Sequence, residues 1–104
     1  MTVYEISQAA APALGAHSKE VLEEAKTHKA LVIRVDAGAT IPPCVMGSHT
    51  FFFIVSGGGT ITVDGVSTTI SAGQLVSIEP GAERSVKAED SMTVLAIQVH
   101  MPTD

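Results

Sequence analysis

From Ala30 onward, apolar and polar residues follow each other in short runs cut by turn residues. ALVIRVDAG is an apolar run closed by Gly38, and TIPPC carries two prolines, which suit a strand start or an edge strand. FFFIVS stops at the triple glycine Gly57 to Gly59. TITV and VSTTI flank Asp64-Gly65, the sequence of a two-residue hairpin turn between alternating strands. AGQLVSIEPGAE sets further turns at Ala72-Gly73 and Pro80-Gly81, and RSVKA and MTVLAIQVH complete the series. Short strands at such even spacing predict an all-β barrel or sandwich.

The N-terminal part has a different pattern. Val3 to Ser7 is a short strand candidate, followed by an Ala/Pro-rich passage. Ser18 reads as a helix N-cap, with Glu20 in the first turn and SKEVLEEAKTHK as the helix. Val21, Leu22 and Ala25 form its apolar face, while His28 and Lys29 suit its negative C-terminal end. The expected organisation is a strand and helix in residues 1–29, packed outside a β-barrel of residues 30–104, within one domain.

Composition narrows the function classes. Hydrophobic residues make up 45% of the 104, and charged residues only 16%, against about a quarter in ordinary domains. With a mean hydropathy of +0.32, the chain holds more apolar surface than one small barrel hides, so a homodimer is expected. The net charge is −5, and the six Lys and Arg are scattered rather than clustered, which excludes a nucleic-acid partner. The single cysteine, Cys44, excludes an internal disulfide and fits a reducing cytoplasm. MTVYEISQAA lacks a signal-peptide pattern, and no apolar run approaches the roughly 20 residues of a membrane span.

From Gly38 to Met101 the chain resembles a small single-domain cupin, a double-stranded β-helix or jelly-roll barrel. The first cupin motif runs glycine, five residues, His-x-His, three or four residues, Glu, six residues, glycine. Anchored on Gly38 and Gly57, it places Cys44 and Met46 at the two His positions and Thr50 at the Glu position. The second runs glycine, five residues, Pro-x-Gly, two residues, His. Gly73 to Arg84 matches it in length, with Glu79 at the proline, Gly81 in place and Arg84 at the His. The resemblance implies that metal-binding cupins use the three His and the Glu as ligands, and this chain keeps none of the four. Thioether and alcohol are weak ligands for Fe²⁺, Mn²⁺ or Ni²⁺, and arginine adds a fixed positive charge. No cofactor is therefore expected.

Several residues stay open between two readings. If the motif register holds, Thr50, Phe52 and Ile54 point into the barrel and His49 points away, unless a bulge at Gly47-Ser48 turns it inward beside Cys44. Cys44 is then either a small buried hydrophobe or a thiolate assisted by Arg84 and by His49 or His100. An inward Arg84 needs Glu79, Glu83 or a bound anion as partner; otherwise it lies at the mouth with its head in water. Phe51 and Phe53 face the opposite way from Phe52. The last strand puts Met92, Val94, Ala96, Gln98 and His100 on one face, with Gln98 and His100 either in the lumen or at an interface. His17 and His28 are expected in solvent.

Two leading functions follow, beside a third reading in which the lumen is simply packed and the protein acts through its outer surface or its dimer. The first is a metal-independent binding module for a small, partly apolar organic anion, with Cys44, Met46, Thr50, Phe52, Ile54 and Arg84 lining the lumen. The alternative is an oxygenase, isomerase or lyase of the kind the resemblance implies, with an atypical metal site at Cys44, His49 and His100.

Overall fold

A computed structural model of the chain describes residues 1–11 and 14–100. Nine strands form two antiparallel sheets packed face to face. The five-stranded sheet has the order β1 (His17–Glu24), β2 (His28–Val35), β9 (Met92–Val99), β4 (His49–Ser56), β7 (Leu75–Ile78). The four-stranded sheet has the order β3 (Thr40–Val45), β8 (Glu83–Ala88), β5 (Gly58–Val63), β6 (Val66–Ser71). This is the expected jelly-roll. None of the helices among the described residues is long and apolar enough to cross a membrane.

The turn chemistry explains where strands reverse. Asp64 and Gly65 both have positive φ, 47° and 81°, as the two central residues of a type I′ turn require, and Val63 pairs with Val66 across it. In β3 the register shifts between Ile41 and Cys44, where Pro42 and Pro43 stand. Proline donates no ladder hydrogen bond, and β3 is an edge strand where that costs least. The shift brings Ile41 and Cys44 to the same face, opposite Val86 and Arg84 respectively. At Gly59, a Cβ would lie 2.1 Å from the Lys87 carbonyl oxygen, so β5 approaches β8 there as only glycine allows.

The core fills the space between the sheets. Val35, Ile54, Ile61, Ile78, Met92 and Val94 are all at most 2% exposed. The alternation predicted for the last strand holds: Met92, Val94, Ala96 and Gln98 are buried on the inner face, while Leu95, Ile97 and Val99 are only half-buried on the outer one.

Two N-terminal expectations are corrected. Residues 17–24 form strand β1, not a helix, and among the described residues the one helical element is a single 3₁₀ turn, Ile6–Gln8. Val3 to Ser7 is accordingly not a strand. SKEVLEEAK has good helix formers, but pairing with β2 from His17↔Val35 to Glu24↔Lys29 supplies a ladder of hydrogen bonds that outweighs local propensity. His28 and Lys29, read as the helix end, open β2, and the Ala25 N–H donates to the His28 carbonyl at 2.8 Å to close the turn. Ser18 caps no helix; its hydroxyl donates to the Ala11 carbonyl. The segment before β1 lies on the outer face of the large sheet, where Ala9 and Ala10 pack with Val32, Leu22 and Leu95. Arg34 ties it down, its Nε donating to the Ala9 carbonyl at 2.9 Å.

Candidate functional site

Neighbouring strands place Arg84 at the centre of the site. On β8 it stands opposite Cys44 of β3 and Val63 of β5, so its side chain points between the sheets. It is 5% exposed. Nη1 donates to Thr50 Oγ1 at 3.1 Å, and Cζ lies 5.7 Å from the centre of the Phe52 ring, within cation–π range. No carboxylate pairs with it among the described residues. Glu79, one suggested partner, turns to His49 instead, and Glu83, the other, is exposed, the Asp64 carboxylate accepting from its backbone N–H. The reading in which Arg84 snorkels into water is excluded by its burial.

A cavity of about 160 Å³ opens beside this guanidinium. Its walls come from both sheets and include the two edge strands β1 and β3. Leu31, Ile33, Ile41, Phe52 and Val86 make it mainly apolar, and Arg84, Gln98, Lys19 and His17 bring the polar groups. Gln98, left open between lumen and interface, is in the lumen and 8% exposed.

Of the six expected lumen residues, Cys44, Met46, Phe52 and Arg84 line the cavity. Thr50 and Ile54 do not: both face inward at 0% exposure, but Thr50 is taken up by Arg84 and Ile54 is sealed in the core. Cys44 is exposed at the cavity's edge, which corrects its reading as a buried hydrophobe. It shares the inner face with Arg84, but β3 is an edge strand with no neighbour on its other side to cover it. Sequence reasoning missed His17, Lys19, Leu31, Ile33 and Ile41. The period-two spacing of His17, Lys19 and Val21 was the signal available for the first two.

His49 lies on the opposite face of the sheet from Arg84. Its Nε2 lies 2.7 Å from Ser77 Oγ, its Nδ1 3.8 Å from Glu79 Oε2, and its ring stacks on Phe51 at 4.6 Å. The register is regular there, His49↔Val99 and Thr50↔Gln98, so no bulge turns His49 inward. His100 is exposed beyond β9 and bonds through its backbone N–H to the Thr27 carbonyl at 2.9 Å. The set Cys44, His49 and His100 is therefore not brought together, because strand alternation sends His49 outward. Among the described residues no three His, Cys, Asp or Glu cluster as metal ligands. The donors at the family's ligand positions do not fit a divalent cation either. Thr50 Oγ1 is already engaged by a guanidinium, and that fixed positive charge occupies the lumen.

Comparison with known proteins agrees on the fold. The chain has a TM-score of 0.88 against a protein of Thermus thermophilus, at 15% identity, covering 98% of this chain and 100% of that one. A conserved protein of unknown function from Streptococcus pyogenes scores 0.86 at 19% identity, over 98% of this chain and 90% of the other. A salicylate 1,2-dioxygenase from Pseudaminobacter salicylatoxidans scores 0.77 at 19% identity, covering 89% of this chain but 28% of the enzyme. At these identities the likeness carries the fold alone. No curated protein matches the sequence. The family model of the cupin domain matches residues 31–100, and the chain belongs to the cupin family.

Proposed function

We propose that the protein binds a small, partly apolar organic anion in the cavity around Arg84, without a metal. One observation carries this reading: a guanidinium at 5% exposure, with one hydrogen bond to Thr50 and no carboxylate partner among the described residues. A charge so placed is costly unless paired, and a guanidinium has five N–H donors to satisfy. An anionic ligand supplies the missing acceptors, and a carboxylate matches the planar fork with two parallel bonds. The apolar walls suit the rest of a small organic molecule. Self-association belongs to the same proposal: Phe53 and Leu75, paired across β4 and β7, are 39% and 63% exposed on the outer face, where a second copy has apolar surface to cover. A reducing compartment keeps the exposed Cys44 thiol free.

The test is a calorimetric titration of the untagged protein with benzoate, beside Arg84→Gln, with metal content measured on the same preparation. Binding lost in the variant, with circular dichroism unchanged, supports the reading. Binding retained by Arg84→Gln overturns it, and a stoichiometric metal in the wild type overturns its metal-free part.

A further inference from the structure

The charges around the cavity are one-sided. Two of the chain's six Lys and Arg, Lys19 and Arg84, line it, and none of the ten Asp and Glu among the described residues does. His17 adds a third basic side chain. The chain as a whole carries −5, so a lining without acids is a local feature against the overall charge.

The two cations sit on different elements. Arg84 reaches in from β8 to touch Thr50 and Phe52. Lys19 comes from edge strand β1, where it pairs with Ile33 and so faces inward with it. Lys19 is exposed and has no ion pair among the described residues, whereas Arg84 is buried. Leu31, Ile33 and Phe52 form apolar wall in the same cavity. The arrangement is a deep cation, an apolar wall and a second cation at the rim.

We infer that the ligand is a two-headed anion: an organic dicarboxylate with a compact apolar body, one carboxylate on Arg84 and the other at Lys19. This rests on the proposal that Arg84 holds an anion. The cavity of about 160 Å³ suits a body of six carbons in a ring, since about 150 Å³ of apolar cavity accommodates benzene. Arg84 supplies most of the hold, because its pairing is desolvated. Lys19 supplies discrimination, because a rim charge adds little in its own right but favours the ligand with a second negative end.

Titration with terephthalate and with benzoate at neutral pH and low salt separates the two levels. Both rings carry a carboxylate for Arg84, and only terephthalate has a second one at the far end. Wild type is expected to bind terephthalate up to about fivefold more tightly, the upper end for an exposed ion pair. The preference should shrink as salt is raised. Lys19→Gln should bring the two ligands level, and Arg84→Gln should lose both. A wild type that binds the two alike, or a Lys19→Gln that keeps the preference, overturns the two-headed ligand and leaves the Arg84 reading standing. Benzoate bound equally well by Arg84→Gln, or neither probe bound by wild type at millimolar concentration, overturns the Arg84 reading and this inference with it.

Discussion

Arg84 Nη1 donates a 3.1 Å hydrogen bond to Thr50 Oγ1, and this single bond joins the two sheets through the polar end of the lumen. These two residues occupy a His position and the Glu position of the cupin motifs. Where the family's motif would bring imidazole and carboxylate to a cation, this chain brings a hydroxyl to a cation of its own. The pair satisfies one of the guanidinium's five donors and leaves the others facing Phe52 and the cavity.

In the empty protein such a charge has, among the described residues, only the Thr50 hydroxyl and the Phe52 ring to offset its desolvation. Arg84→Met keeps an unbranched apolar stem while removing the buried charge. It should raise the unfolding free energy of the ligand-free protein by about 1–4 kcal/mol, as replacing buried ionic groups with apolar ones has done elsewhere. Urea unfolding of wild type and variant checks this, and a loss of stability would mean that Arg84 is already satisfied within the protein.

Ser48 Oγ is buried, with the residue at 1% exposure, and has no hydrogen-bond partner among the described residues. An unpaired buried hydroxyl costs desolvation without return, so Ser48→Ala should be neutral or stabilise by about 1 kcal/mol. A destabilisation of that size in the same urea experiment would reveal a partner for the hydroxyl, such as an ordered water.

The close approach at Gly59 makes the opposite prediction. A methyl group there meets the backbone of β8, which has no rotamer to yield, so Gly59→Ala should destabilise by about 3 kcal/mol, the upper end of overpacking costs. Gly65→Ala, in the open hairpin turn, meets no atom and is strained only by its φ of 81°, and should cost about 1 kcal/mol. Thermal melts of the two variants should fall in that order.

Asp36 joins the segment before β1 to the end of the sandwich. The Gly15 backbone N–H donates to Oδ2 at 2.6 Å and the Ser91 hydroxyl to Oδ1 at 3.1 Å. The Gly15 amide first, then the Ser91 hydroxyl and the Ala37 amide, hold its carboxyl below the usual value of 3.8. A carboxyl depressed in the folded state contributes stability above its unfolded pKa and loses it as pH falls through the folded one. Melting temperature followed from pH 6 downward should therefore drop below about pH 4, and Asp36→Asn should flatten that part of the profile. An unchanged profile in the variant would show that other groups govern the acid limb.

Outer-face substitution tests self-association. Leu75→Glu places a charge opposite Phe53 on the exposed face. Sedimentation should show a dimer for wild type at micromolar concentration and a monomer for the variant; a monomeric wild type would leave the low charge content of the chain without this explanation.

Most of the architecture was legible because strands leave local marks. Period-two alternation set which residues of β4 and β9 face inward, and it also predicted that His49 faces away from the lumen. The Asp64-Gly65 turn announced its hairpin. The motif spacing placed Arg84 and Thr50 on facing positions although neither residue type matches the motif. Where the reading failed, at residues 17–24, the local signal was helix propensity, and the partner strand β2, which makes the stretch a strand, is not local information.

The sequence by itself determined the strands from Ala30 onward, the faces of the central strands and the residue types at the family's four ligand positions. Those properties depend on neighbours in the chain or on residue chemistry. Tertiary structure alone decided that no acid among the described residues reaches Arg84, that Glu79 is drawn to His49 on the far face, and that β1 brings Lys19 to the cavity. Each of these depends on contacts between strands rather than on the pattern within one. The physical reason is that a charge acquires its partners from the fold, through contacts that no local pattern of residues encodes.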